Sequence, residues 1–570
     1  MADSERAGRL IELLLKENDR KGYLGPDSIE KVSRTLSIPA SRPFAVAAQL
    51  EYFDLDAPPW SDVNVCCGPA CELAGSRRIY DGETKPSAGV GGTRVRCFLG
   101  SPFWHLPVLV QARADGELHF THGITGMKAP AVEALLGEIR AKGAKSLSTS
   151  IDDRLAFLSA KGTHLSTPPM GSGRKRSLEQ LVEGDGHSLA TWVSDLDALR
   201  LLNDIDAAGI TDTATGVLLS SLIEQVRGAR QYKRIVVCDV GGMEPENSAG
   251  PMVAASDPLG LMRGMMAAAV ACEASSVLIF VPYEDVALRA MFRVLVGGIA
   301  QYLTGFGFSV NLLTAPNLIP CDREIGIASF FRGLTLSEAT ALAARSREDL
   351  WGARALFAEP EVFTGLSKLA SEGAKPFKAA RGGGTRVVTI GGKVQRPRMV
   401  ELPVGISLGD AIDDFAGGMR RGSGLKAIHV GGTYGGPMKP SVRRSSIKAV
   451  MRRHPDITGS QLLAIDQTTC IVQWAEYFAA LAERLCCGAC STGRLAPGSV
   501  LRLLGRIRAG EGRLTDLDEI AATVSLVTEN ALCPQAARAL NAVSVSLADF
   551  RSEFEEHVTD RRCAAHVCWP

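Results

Sequence analysis

Between residues 177 and 375 three apolar runs, KRIVVCDV, SSVLIFV and FSVNLLT, alternate with helix-like stretches. That alternation is the pattern of a mostly parallel sheet with helices packed on it, and it sets the class as a multidomain α/β protein. A chain of 570 residues exceeds one ordinary core. At the usual ~100–200 residues per domain it divides into roughly three to five units.

The flanking segments read differently. Residues 1–158 begin with helices, DSIEKVSRTL with Asp27 or Ser28 as N-cap and then PFAVAAQLEYF. From Val63 the strands VNVCC, TRVRCFL, HLPVLVQA and ELHFTHG form a small sheet closed by the helix APAVEALLGEIRAKG. Residues 159–176 include KGTHLSTPPMGSGRKR, which offers turns and nothing to bury and reads as a linker. The α/β segment is assigned to 177–378. Residues 379–440 carry the hairpin-like TRVVTIGGKVQRPRMVELPVG, a helix capped by Ser407 and the strand LKAIHVGG, together a β-grasp unit. Residues 441–570 are mainly helical, with apolar spacing in IVQWAEYFAALAERL and SVLRLLGRIRAG.

Charge excludes one function class. Sixty-three Lys+Arg against 62 Asp+Glu leave a net +1, and six Trp with eight Tyr supply few stacking platforms, so nucleic-acid binding is not expected. The start MADSERAGRLIELLLKENDR is charged throughout and has no signal-peptide core, which predicts a cytoplasmic chain. The most apolar stretch, Met265 to Pro282, is broken by Glu273 and two serines and reads as a buried helix followed by a strand. It falls short of the ~18–20 unbroken residues of a membrane span, so no direct membrane insertion is expected.

In a reducing compartment the 14 cysteines are better read as metal ligands or buried thiols than as disulfides. Cys66, Cys67 and Cys71 form one group with Cys97 beyond it, and Cys486, Cys487 and Cys490 form another with Cys533 beyond it. Cys563 and Cys568 lie at the C-terminus, where with His566 they read as a frayed end more readily than as metal ligands. Cys238, Cys272, Cys321 and Cys470 stand alone and are assigned no chemistry, since free Cys packs as a small hydrophobe. His105 and His429 read as core or surface residues.

KGYLGPDSIEKVSRTLSIPASRPFAVAAQLEYF and VCCGPACELAGS resemble the thioredoxin-like [2Fe-2S] subunit of respiratory complex I. From EPENSAGPMVAASDP onward, through ELPVGISLGDAIDDFAGGM and CCGACSTGR, the chain resembles the FMN-bearing, NADH-oxidising subunit of the same complex. The two are fused in NAD(P)-linked hydrogenases and formate dehydrogenases. The resemblance implies a helical plus thioredoxin-like N-terminal region, an α/β flavoprotein-like domain, an SLBB-like β-grasp and a C-terminal helical [4Fe-4S]-type domain. Fold does not carry function, so each site is weighed on its own residues.

Both implied cluster sites are one thiolate short of the four cysteines such clusters use. In the first, Cys66, Cys71 and Cys97 fit the family spacing, but the last position is Ser101; a serine oxygen, Cys67 or decay of the site are the alternatives. In the second, Cys487, Cys490 and Cys533 are in register and Gly493 stands in the place of the third ligand. Cys486 is a poor replacement because adjacent residues seldom aim both side chains into one cavity, and a three-Cys cluster with an outside ligand stays open. A retained cluster is expected at the C-terminal site before the N-terminal one.

The implied flavin site departs further. The family's glycine-rich loop, which lets backbone approach a phosphate, corresponds here to AGITDTATGVLL, with threonines, Asp212 and Val217 where glycines belong. Glu244 and Pro245 survive from a second motif whose Lys, Asp and Arg are gone. In the third, APNLIPCDREIGI, the first of a glutamate pair is Arg323 and only Glu324 remains; a later family segment has no equivalent between Gly333 and Lys378. Glu244 and Glu324 are the residual candidates for cofactor binding. FMN and NAD(H) are expected to be absent and no catalytic residue is assigned. The reading is a subunit of a redox complex, held by other subunits, with a role in electron relay or structure. An active NAD(P)H:acceptor oxidoreductase with an altered pocket and an assembly or regulatory protein are the alternatives.

Overall fold

In this computed structural model the described residues are 2–56, 63–66, 68–74, 94–96, 110–114, 117–120, 163–164 and most of 189–569. The N-terminal helices span Ala2–Lys21, Pro26–Leu36 and Ser41–Ala48. The second begins at Pro26 with Gly25 before it and no side-chain cap, so neither Asp27 nor Ser28 is the N-cap. Proline's fixed φ and missing N–H suit the first helical position, and Asp27 falls in the first turn.

Four strands follow: β1 (Val63–Cys66), β2 (Arg94–Arg96), β3 (Val110–Ala114) and β4 (Glu117–Phe120), paired in the order β2-β1-β3-β4. The expected closing helix at 129–143 lies outside the described residues. β5 (Thr163–His164) pairs in parallel with Met399 and Val400, so the stretch assigned as linker lends two residues to a sheet edge.

The three apolar runs become β6 (Arg234–Asp239), β7 (Ser276–Pro282) and β8 (Ser309–Ala315), joined by β9 (Arg354–Ala358), which the pattern did not reveal. The order is β8-β7-β6-β9 and every pairing is parallel. Val236, Cys238, Val277 and Ile279 face a core built with the helices Pro258–Cys272, Val286–Thr304 and Pro360–Glu372. Ile235, Val237, Leu278 and Phe280 face the opposite core, closed by the N-terminal helices through Leu10, Ile11 and Leu14. Strands covered on both faces carry near-continuous apolar runs, and that is the physical reason these were conspicuous.

The β-grasp sheet runs β13 (Gly436–Met438), β12 (Leu425–Val430), β14 (Gln461–Asp466), β10 (Thr385–Gly392), β11 (Arg398–Pro403), then β5. β14 inserts between β12 and β10, so this sheet extends past residue 440 to Asp466. Ser407 caps as expected, its Oγ accepting from the Asp410 amide at 3.0 Å. One face packs on the C-terminal helices Ile471–Arg484, Ser491–Arg508 and Leu514–Asn530 through Leu463 and Ile465. Among the described residues no helix is long and apolar enough to cross a membrane.

The helices Pro258–Cys272 and Pro360–Glu372 cross in close contact at Gly264, where an added Cβ would overlap the Phe363 carbonyl. Gly264→Ala is expected to lower stability by about 1–3 kcal/mol through overpacking. Gly297→Ala, in a helix where the added Cβ meets nothing within 4 Å, should instead gain about 1 kcal/mol of helix propensity. Urea midpoints of the two variants check this.

Candidate metal and cofactor sites

Two helix starts build the C-terminal thiol site. Cys490 precedes the helix Ser491–Arg508, and its Sγ accepts from the Gly493 amide at 3.3 Å and from the Thr492 hydroxyl at 3.5 Å. Burial works against its thiolate, but hydrogen bonds from Thr492 and from the Leu532 and Gly493 amides outweigh it and hold the pKa below the usual thiol value. Cys533 precedes the helix Pro534–Ala539 and is buried, which pushes its thiol up to about 11. The Thr340 hydroxyl lies 3.9 Å from the Cys487 sulfur. Cys487 and Cys533 pack in one apolar core, and the Leu532 amide that donates to Cys490 is the residue before Cys533. At Gly493 a Cβ would stand 3.1 Å from the Cys490 sulfur and 3.4 Å from the Ala536 Cβ, so this position faces Cys490.

The N-terminal group is only partly described. Cys66 ends β1 and Cys71 lies in the short helix Pro69–Ala74, while their side chains and all of Cys97 and Ser101 lie outside the described residues.

In the third of the implied nucleotide motifs, Arg323 forms a buried ion pair with Asp239. Arg323 opens the helix Arg323–Arg332 with its side chain 2% exposed. Its Nε and Nη2 donate to the two Asp239 oxygens at 2.9 and 2.7 Å, and Nη1 donates to the Asn317 carbonyl at 2.5 Å. Gly241 makes room for it: a Cβ there would meet Asn317 Oδ1 and Arg323 Nη2. Glu324 is buried and bound internally, accepting from Trp351 Nε1 at 3.0 Å with Arg347 at 3.4 Å. Burial raises its pKa. The threonine-rich loop closes on itself, Asp212 accepting from the Thr215 amide at 2.8 Å and hydroxyl at 2.7 Å, and Thr213 donating to Glu359 at 2.7 Å. Glu244 lies outside the described residues.

A third group was not legible in the sequence. The Cys470, Cys563 and Cys568 sulfurs and one His557 ring nitrogen all lie within 4.8 Å of one another. Cys470 precedes the helix Ile471–Arg484, His557 sits on Arg551–Thr559, and the other two belong to the terminal turn. Cys470 is thus no inert lone thiol, the C-terminal pair is not a frayed end, and the histidine in the group is His557, not His566. The signal was present only as a distance across the chain, with 87 residues separating Cys470 from His557. His429 is the core histidine expected, its Nε2 donating to the Gly432 carbonyl at 2.6 Å and its Nδ1 accepting from Trp474.

Known proteins share these regions. Three family models match: the thioredoxin-like [2Fe-2S] ferredoxin over residues 2–91, the SLBB domain over 387–440, and the NADH-ubiquinone oxidoreductase-F iron-sulfur binding region over 473–557. The chain is a fused homologue of these protein types. It is 27% identical over 274 residues to the NADP-reducing hydrogenase subunit HndC of Solidesulfovibrio fructosivorans, a match spanning 46% of this chain and 55% of that protein. It is 26% identical over 369 residues to the F 2 component of NADH-quinone oxidoreductase in Rhizobium meliloti (strain 1021), covering 61% of this chain and 85% of that one. A solved NAD+-reducing [NiFe]-hydrogenase in the H2-reduced state shares the fold, with TM-score 0.75 and 17% identity over 97% of this chain and 93% of that chain.

This fused homologue carries Cys487, Cys490 and Cys533 inside the matched iron–sulfur region, and Cys66 and Cys71 inside the matched [2Fe-2S] region. Its buried Arg323–Asp239 pair is tested most simply by removing one charge. Asp239→Asn leaves the guanidinium without its counter-charge and is expected to cost about 3–5 kcal/mol, read from the denaturant midpoint.

Proposed function

We propose that the chain is a subunit of a larger NADH dehydrogenase-like assembly, acting in electron relay or as a structural component, with its flavin and nicotinamide pocket closed. The Arg323–Asp239 pair carries this reading, because its guanidinium takes up the interior volume and makes three hydrogen bonds there. A bound nicotinamide nucleotide would have to displace a desolvated, paired charge, at a cost of several kcal/mol. The self-bonded loop at Asp212 supports it, since the Thr215 amide and hydroxyl both donate to the Asp212 carboxylate instead of standing free for a phosphate. Purified anaerobically, the protein is expected to contain no stoichiometric FMN and to give no bleaching on addition of NADH. A yellow protein reduced by NADH would overturn this, and Glu244 and Glu324 would then be the first residues to replace. The partners are other subunits of the assembly, recovered with the chain from its native source under mild, low-salt conditions; a lone monomer there would sink the subunit reading.

The Cys470–His557–Cys563–Cys568 group supports a second element of the proposal, a closed structural metal site. Tetrahedral zinc with Zn–S near 2.3 Å and Zn–N near 2.0 Å separates two sulfurs by about 3.8 Å and a sulfur from a nitrogen by about 3.5 Å. The Cys470–Cys568 separation is 3.7 Å and the Cys470–His557 Nε2 separation is 3.3 Å, the scale of a single ion. The His557 Nδ1–H donates to the Glu553 carbonyl at 2.7 Å, which fixes the tautomer that leaves Nε2 for metal. Such an ion would tie the start of one C-terminal helix to the end of the chain. Elemental analysis is expected to find about one zinc per chain, and Cys470→Ser should lose it and lower the Tm by several degrees. Equal zinc in the variant would refute the site.

A further inference from the structure

The C-terminal thiol site holds more sulfur than its motif announces. Cys321 ends the loop before the helix Arg323–Arg332, 1% exposed, in a segment remote in sequence from the other thiols. It packs in the same apolar core as Cys533 and Cys487, whereas Cys486 packs against a different core, that of the C-terminal helices around Leu485 and Val500. The loop is fastened to the Cys533 side by Asp322, whose carboxylate lies 3.6 Å from the Arg538 guanidinium on the helix that follows Cys533. Helix Leu336–Ala343 completes the surround, with Thr340 at 3.9 Å from the Cys487 sulfur.

We infer that Cys321 is the fourth thiolate of the C-terminal cluster site, in place of the ligand missing at Gly493. The inference rests on the reading of that region as iron–sulfur binding. Cys486 packs against the core of the C-terminal helices and Cys487 against the one that holds Cys321 and Cys533, which favours Cys321 as the fourth ligand. A ligand from the loop would tie the α/β unit to the C-terminal helices through the cluster itself. Loss of the family's third cysteine would then leave four thiolates, enough for the usual cysteine set of a four-iron centre.

The test is anaerobic reconstitution of the full chain with ferrous iron and sulfide, read as iron and acid-labile sulfide per chain and as the EPR spectrum after dithionite. Cys487→Ala sets the baseline, which removes any contribution from the N-terminal group. Wild type is expected to exceed it by a four-iron complement and Cys486→Ser to match wild type. Cys321→Ser should fall to the baseline or keep only a three-iron EPR signal. Circular dichroism and Tm of the unreconstituted variant control for folding, and Gly493→Cys in the Cys321→Ser background should restore the iron, which a purely structural role for Cys321 would not allow. Full loading of Cys321→Ser overturns this assignment alone. A wild type that stays at the baseline overturns the cluster reading with it.

Discussion

Burial of a four-stranded parallel sheet on both faces is the constraint on which the rest of the architecture depends. A parallel sheet leaves its connections on its faces, and both must be covered for the backbone to leave water. Helices from within the α/β segment cover one face, and the N-terminal helices, far away in sequence, cover the other through Leu10, Ile11 and Leu14 against Ile235, Val237 and Phe280. The N-terminal region is therefore a layer of the central unit as well as the start of a thioredoxin-like one. Its docking also brings the Asp19 carboxylate to the Tyr283 hydroxyl at the end of β7.

The same sheet positions the polar interior. Asp239 ends β6 and Arg323 begins a helix after β8, so their pairing joins two strand ends where an open α/β sheet usually receives its ligand. A charge pair at that position is expensive to form and more expensive to break, because each partner is desolvated.

The metal-type groups share one device, the placement of cysteine at a helix start. Cys470, Cys490 and Cys533 each precede the first residue of a helix, and of the three only Cys490 has its thiol held below the usual value, the other two being raised. Cys490 shows the consequence directly, with two amides and a hydroxyl offsetting the burial of its sulfur. Cys470 and Cys533 begin different helices of one bundle, so the Cys/His group and the thiol site occupy separate places in the same C-terminal unit.

The sequence by itself determined the strands β6, β7 and β8, the β-grasp hairpin and its Ser407 cap, because each rests on local periodicity or a local hydrogen bond. Its spacing also singled out Cys487, Cys490 and Cys533 as candidate ligands, because three cysteines in register with a motif are a local signal. It did not reveal β9, of whose five residues only Leu356 and Ala358 are buried, nor β14, which completes the sheet begun at Thr385 through a long-range pairing that no local pattern encodes. The Arg323–Asp239 pair, the Cys470–His557–Cys563–Cys568 group and the packing of Cys321, Cys487 and Cys533 on one core were decided by tertiary structure alone. Each joins residues distant in the chain, and a lone cysteine or arginine carries no sign of what will face it until the layers have packed.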